Sequence, residues 1–244
     1  MPAELKSTVA QHAGGLISSA LAAEICVDLA IAPIDPVEIN RYLGYPRDVA
    51  PAQRMAEQIA VAVAQAQPCL RPRGAYALYA ASGRTPHSLR LDDTTISGNI
   101  GEYLEQADRV AVFVVTVGKE ISQLSESAGM NGDAFSAWVM DALGSWAVES
   151  TADALMLRIR RHLQNEEELT LRYSPGYCGM ELGEQRKLFQ LVQANAVGVT
   201  LMPSMLMHPL KSISGLVGLA PMESVSRYHS PCDLCPRTGC HMRR

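Results

Sequence analysis

The 244-residue sequence predicts an α+β fold in which a largely antiparallel sheet is flanked by helices. Two features carry that reading. Residues 110–117 (Val-Ala-Val-Phe-Val-Val-Thr-Val) are apolar on both faces, the mark of a central strand covered from two sides. Residues 133–163 hold one long helical pattern, and the segments around it do not alternate as a βαβ series requires.

The remaining elements follow in chain order. Asp35-Pro36 supplies an N-cap and then a proline whose fixed φ suits the first helical turn, so a helix is expected over 36–43. Pro51 opens a second, alanine-rich helix to about residue 66, and Pro68 ends it. Strands are expected at 75–81, 88–91 and 94–97. In the long helix, Phe135, Trp138, Val139, Ala142 and Trp146 recur at helical spacing, which predicts both tryptophans on one buried stripe. Glu149 is the next position along that stripe. Withdrawn from water, its carboxylate needs a cationic or hydrogen-bonding partner; at the stripe's edge it reaches solvent. The pattern leaves both open. A loop at 171–179, a helix at 184–193, a strand at 197–202 and an extended segment at 212–219 complete the order.

Composition narrows the function. With 48% hydrophobic residues, 19% charged residues and a formal charge of −4, nothing favours nucleic acid, whose phosphates call for clustered Lys and Arg. The one basic stretch, Arg158, Arg160 and Arg161, is followed at once by Glu166, Glu167 and Glu168, as at a solvated helix end. The apolar run 16–31 carries Glu24 and Asp28 and falls short of the ~20 residues a membrane span needs. It also lacks a basic leader before it, so the expected location is the cytoplasm. Three of the six cysteines crowd into the last thirteen residues, which suggests metal or redox chemistry rather than a disulfide framework. One domain over 1–225 and a cysteine-rich tail over 226–244 are expected.

Arg172-Tyr-Ser-Pro-Gly-Tyr177 is the most informative string. Pro175-Gly176 favours a type II turn, because proline pre-sets one dihedral and glycine accepts the positive φ that follows. Such a turn lets backbone approach a ligand with no Cβ in the way. Arg172 offers a planar fork for a carboxylate, and Tyr177 a ring face for a cation or an adenine. An ordinary turn beside a surface arginine has the same sequence. In the tail, Cys232, Cys235 and Cys240 give C-x2-C-x4-C, with Pro236 turning the chain after the second thiol. Three thiols at that spacing can reach one tetrahedral ion, with His229, His241 or Cys178 as a fourth ligand. Zinc and an iron–sulfur cluster both suit the donors.

Arg172, Gly176 and Tyr177, with the proline before the glycine, resemble the Arg-x-x-x-Gly-Tyr string of the activation domain of cobalamin-dependent methionine synthase. Downstream, Gly198-Val-Thr-Leu-Met-Pro-Ser204 and Pro209-Leu-Lys-Ser-Ile-Ser-Gly215 are similar to that family's Gly-x-x-Leu-Thr-Glu-Ser and Pro-x-x-Ser-x-Ser-Gly runs. Aligning Arg158-Ile-Arg160 with the family helix places Glu149 on a glutamate lining its cofactor site.

The resemblance implies an activation-domain-like fold that binds S-adenosylmethionine through Glu149, Arg172, Pro175, Gly176 and Tyr177. It implies support, in trans, for reductive methylation of cob(II)alamin to methylcobalamin on a methionine synthase. The cobalamin belongs to a partner corrinoid protein or domain, and a flavodoxin-like or other donor supplies the electron. No side chain is expected to act as a nucleophile or proton shuttle, so the chain is an accessory or activation subunit of a methyltransferase. Two other readings compete: a reactivator of another corrinoid methyltransferase, and a non-enzymatic metal-binding or interaction protein with a decayed pocket.

For the tail, replacing Cys232, Cys235 and Cys240 together by serine is expected to abolish bound zinc or iron in elemental analysis. Unchanged metal content would contradict the assignment, and visible absorption of the anaerobic protein separates a cluster from colourless zinc.

Overall fold

The computed structural model describes residues 19–46, 48–104, 106–177 and 179–225. The cysteine tail, Cys178 and His229 lie outside the described residues. In chain order the elements are β1 (Ala22–Cys26), α1 (Pro36–Tyr42), α2 (Gln53–Ala66), β2 (Arg73–Thr85), β3 (Ser88–Leu91), β4 (Thr94–Ser97), α3 (Ile100–Tyr103) and β5 (Arg109–Thr116). They continue with α4 (Glu120–Met130), α5 (Ala134–Ile159), β6 (Glu167–Leu169), α6 (Gln185–Leu191), β7 (Thr200–Leu201), β8 (Met207–His208), β9 (Ser212–Pro221) and α7 (Met222–Val225).

Seven strands form one sheet in the order β4-β3-β2-β5-β9-β6, with β1 added to β2, and every pairing is antiparallel. The expected α+β architecture is what the chain adopts. β5 lies at the centre, paired over eight residues with β2 and over eight with β9. Its side chains alternate between two cores. Ala111, Phe113 and Val115 join Ile39, Ile59, Leu143, Leu155 and Val217 beneath the long helices. Val110, Val112 and Val114 join Tyr79, Leu89, Leu188 and Leu216 on the opposite face. A strand buried on both faces has no use for polar residues, and hence the unbroken apolar run.

The helix starts follow their caps. Asp35 accepts a hydrogen bond from Val37 N at 2.9 Å with Pro36 in the first turn, and Asp133 accepts from Ser136 N at 3.0 Å to open α5. α5 is 26 residues long, about 39 Å at 1.5 Å per residue, and runs across the sheet. Gly74 of β2 allows this approach: a Cβ there would meet Val115, Leu29 and Leu155 side chains at 3.0–3.2 Å.

Three expectations need correction. Trp138 is 46% exposed, whereas Val139, Ala142 and Trp146 are buried. Trp138 stands eleven residues before Glu149, about three turns, so both lie along the helix's open edge rather than its buried centre. The expected strand at 197–202 shrinks to Thr200–Leu201, because Ala194–Val197 coils as a 3-10 turn ending at Gly198 with φ +78°. The helix expected over 184–193 is shorter, Gln185–Leu191. The basic stretch at the end of α5 is a solvated helix end, with Arg160 paired to Glu168 at 2.6 Å and Arg158 to Glu24 at 3.8 Å. Among the described residues no helix is long and apolar enough to cross a membrane.

Beside β1, Tyr76 Oη donates to Glu24 Oε2 at 3.1 Å and meets His162 Nε2 at 2.7 Å. Burial and then Glu24 push the Cys26 thiol from 9.0 up to about 12; the same two causes raise the Tyr76 phenol, and burial with Asp92 lifts Tyr79 to about 12. Folding therefore holds protons that the unfolded chain releases. This contribution is complete below the unfolded values and is lost as pH rises through the folded ones. The melting temperature is expected to fall as pH climbs above 9.0, and Cys26→Ala is expected to reduce that slope between pH 9 and about 12. Identical slopes in calorimetric scans would refute the assignment to Cys26.

Candidate functional site

Arg172 lies in the segment between β6 and α6, and its position is set by its neighbour. Tyr173 pairs with Leu216 of β9 as an isolated bridge, N to O at 2.9 Å one way and 2.8 Å the other. The Tyr173 ring is buried and stacks on Tyr103, with centroids 5.1 Å apart and planes 10° from parallel. Side chains alternate along an extended segment, so anchoring Tyr173 into one core turns Arg172 toward the other face, where α5 runs.

There the Arg172 Nη2 donates to Glu149 Oε2 at 3.1 Å and lies 3.1 Å from Asp153 Oδ1. Glu149 and Asp153 are four residues apart on α5 and therefore share a helix face. The Glu149 side chain is 41% exposed and has its cation: both alternatives left by the sequence are partly realised. Arg172 is 24% exposed, yet its Nη1 is buried and has no hydrogen-bond partner among the described residues. An unpaired buried donor on a charged group costs ~1–3 kcal/mol or more. Among the described residues the guanidinium thus has a donor to spare, and Arg172, Glu149 and Asp153 together carry a formal charge of −1.

After Arg172 comes the expected type II turn. Tyr177 N donates to Ser174 O at 3.2 Å and Gly176 has φ +91°, a conformation that disfavours any other residue. Gly176 N donates to Met180 O at 2.8 Å and Met180 N to Tyr177 O at 2.9 Å, which ties the turn to the buried Met180. Pro175 is buried, Gly176 is exposed, and Tyr177 is 69% exposed. A Cβ built at Gly176 would meet only the Leu182 side chain, at 3.8 Å, and with Gly176 and Tyr177 exposed the outer surface of the turn faces solvent.

Arg172 and Glu149 are thus in contact, with Pro175, Gly176 and Tyr177 in the adjoining turn. Asp153 was not singled out by sequence, although its spacing of four from Glu149 on a helix carried the signal. Elsewhere, His87 hydrogen-bonds Asn99 through Nδ1 at 3.1 Å, an ordinary structural contact. No group of three or more His, Cys, Asp and Glu residues able to hold a metal occurs among the described residues. A shallow groove of about 770 Å³ lies between α2 and the start of α5, lined by Arg54, Glu57, Val61 and Phe135 among others. None of the candidate residues lines it.

A second cation clamps α5 from the same side. Lys211, just before β9, places Nζ 2.7 Å from Asp141 Oδ1 and 2.9 Å from Ser145 Oγ. Gly144 makes room for it, because a Cβ there would meet the lysine chain at 3.2 Å.

The sequence profile of a family described as "Vitamin B12 dependent methionine synthase, activation domain" matches residues 51–230. Among solved structures, the chain is similar to the one titled "Crystal Structure of the MetH Reactivation Domain bound to AdoHcy". The TM-score is 0.60 at 17% identity, covering 87% of this chain and 82% of that one. At that identity the likeness concerns the fold. No curated protein sequence matches the chain closely.

Gly215 tests the anchor. A Cβ there would meet the Tyr173 carbonyl oxygen at 2.6 Å and the Phe113 ring at 3.1 Å. Gly215→Ala is expected to destabilise the fold by about 1–3 kcal/mol in urea titrations, since backbone must move. A change below about 0.5 kcal/mol would show that the bridge does not constrain Arg172.

Proposed function

This chain belongs to the family of vitamin B12-dependent methionine synthase activation domains, and on that premise we propose that it binds S-adenosylmethionine at Arg172 and Glu149 to support reductive methylation of a partner's cobalamin. One observation carries the reading. Arg172 keeps a buried Nη1 with no partner among the described residues, beside two carboxylates that share its Nη2. A free amino-acid end has a carboxylate for the first and an ammonium for the second. The residues therefore fit the group.

In this reading Arg172 receives the ligand carboxylate and Glu149 the α-ammonium. Pro175 and Gly176 give a turn whose outer surface is open, and the exposed Tyr177 ring offers a face to the adenine. S-Adenosylmethionine supplies a methyl cation, which with one electron from a flavodoxin-like or other donor converts cob(II)alamin to methylcobalamin and leaves S-adenosylhomocysteine. The chain's own residues bind and orient; no side chain moves a proton or forms a bond. We propose further that it acts in trans on a cobalamin-carrying protein or domain, in the cytoplasm.

Energetics separate function from stability at this site. The ion pairs of Arg172 are partly solvated, and such pairs are worth ~0–1 kcal/mol to folding. Arg172→Ala is therefore expected to shift unfolding by at most about 1 kcal/mol. In isothermal titration the same variant is expected to bind S-adenosylmethionine about 10- to 100-fold more weakly, the worth of charge-assisted hydrogen bonds. Undiminished binding would overturn the site.

A further inference from the structure

Glu149 alone would balance Arg172, but a second carboxylate stands one helical turn further along α5. Asp153 Oδ1 is 3.1 Å from Arg172 Nη2, the same nitrogen that serves Glu149, and its side chain is 68% exposed. As a partner for the arginine it is redundant: one nitrogen now has two carboxylates while Nη1 has none among the described residues. A guanidinium pairing for its own sake would spread the two carboxylates over both nitrogens. The arrangement leaves Nη1 for an anion and sets both negative charges on one side of the guanidinium.

Charge arithmetic shows what this does. The arginine and two carboxylates sum to −1. S-Adenosylmethionine carries a carboxylate, an ammonium and a sulfonium and sums to +1. S-Adenosylhomocysteine has lost the methyl group and the sulfonium charge, and sums to zero. With Glu149 alone, the site's net charge would be zero and only the arrangement of its two charges would act on the sulfonium. The second carboxylate tips the balance.

We propose that Asp153 is a specificity-determining residue that favours the sulfonium form of the ligand over the thioether form. The inference rests on the reading of Arg172 and Glu149 as the ligand's amino-acid site. Its consequence is directional: methyl donation neutralises the group that Asp153 attracts, which weakens retention of the product relative to the donor. Because the carboxylate is well exposed, the effect is moderate. Removing one unit charge at a half-solvated distance of several ångströms changes affinity by about threefold to tenfold.

The test is isothermal titration of the full chain with S-adenosylmethionine and, separately, S-adenosylhomocysteine, for wild type, Asp153→Asn and Asp153→Glu. The ratio of the two affinities is the readout. The ammonium is common to both ligands and cancels in it, and a general loss of structure lowers both affinities together. Asp153→Asn keeps the shape and removes the charge; the preference for the sulfonium ligand is expected to fall by about threefold to tenfold. Asp153→Glu restores the charge and is expected to hold the ratio near that of wild type. An unchanged ratio in Asp153→Asn, with wild type binding both ligands, overturns this inference and leaves the site assignment standing. A wild type that binds neither ligand overturns both.

Discussion

The register of β9 against β5 is the constraint on which the site depends. Eight residues from Ser212 to Leu219 pair with Thr116 to Arg109, and each element of the site is attached to that ladder. Leu216 exchanges both backbone hydrogen bonds with Tyr173, and Gly218 exchanges bonds with Thr170 through N to Oγ1 and O to N. Lys211, at the head of the strand, grips Asp141 and Ser145 of α5. A slip of one residue would exchange the faces of every β9 side chain. Leu216 would leave one core, Val217 the other, and Arg172 would lose its place opposite Glu149. Gly215 and Gly218 are the clearance that this close packing requires: any Cβ there would lie 2.6 Å from Tyr173 O or from Ala107 Cβ.

α5 has two tasks, divided by face. Its buried face supplies Val139, Leu143, Ala147, Leu155 and Ile159 to one core. Its open edge carries Trp138, Asp141, Ser145, Glu149 and Asp153 at intervals of three to four residues. The carboxylates on that edge are met by cations from outside the helix, Lys211 and Arg172. Exposed pairs of this kind do little for stability. Their worth lies in orientation: the core fixes the helix, and the helix fixes the carboxylates against the β6–α6 segment. The two carboxylates proposed to face the ligand thus stand on a rigid element, with the turn at Gly176 beside them.

Much of the fold was legible because local chemistry and tertiary environment agree. β5 is apolar at every position that both cores demand, and α1 and α5 begin where Asp35 and Asp133 place a side-chain acceptor. The type II turn followed from Pro175-Gly176 alone. What escaped was set from a distance. α4 (Glu120–Met130) has three serines and a glycine, with Ile121 its one buried position, and is held against α5, where Ser125 Oγ donates to Ala137 O at 2.8 Å. β1 is short and alanine-rich, and only its pairing with β2 makes it a strand. Trp138 was misplaced because a helical stripe shows periodicity but not which part of it meets the sheet. At the site, Arg172 and Glu149 came from family resemblance and spacing. Asp153 was hidden because a carboxylate on a helix face usually means solvent, and its ion pair depends on an arginine that arrives from another part of the chain.

Whether this chain brings S-adenosylmethionine to a cobalamin held elsewhere, as proposed, is decided by incubating it with a cob(II)alamin-loaded methionine synthase that lacks its own activation domain and following conversion to methylcobalamin by absorption. Conversion is expected only when the chain, S-adenosylmethionine and a one-electron reductant are all present, and is expected to be lost with Arg172→Ala. Conversion at the same rate without the chain, or with the Arg172→Ala variant, would contradict the proposal.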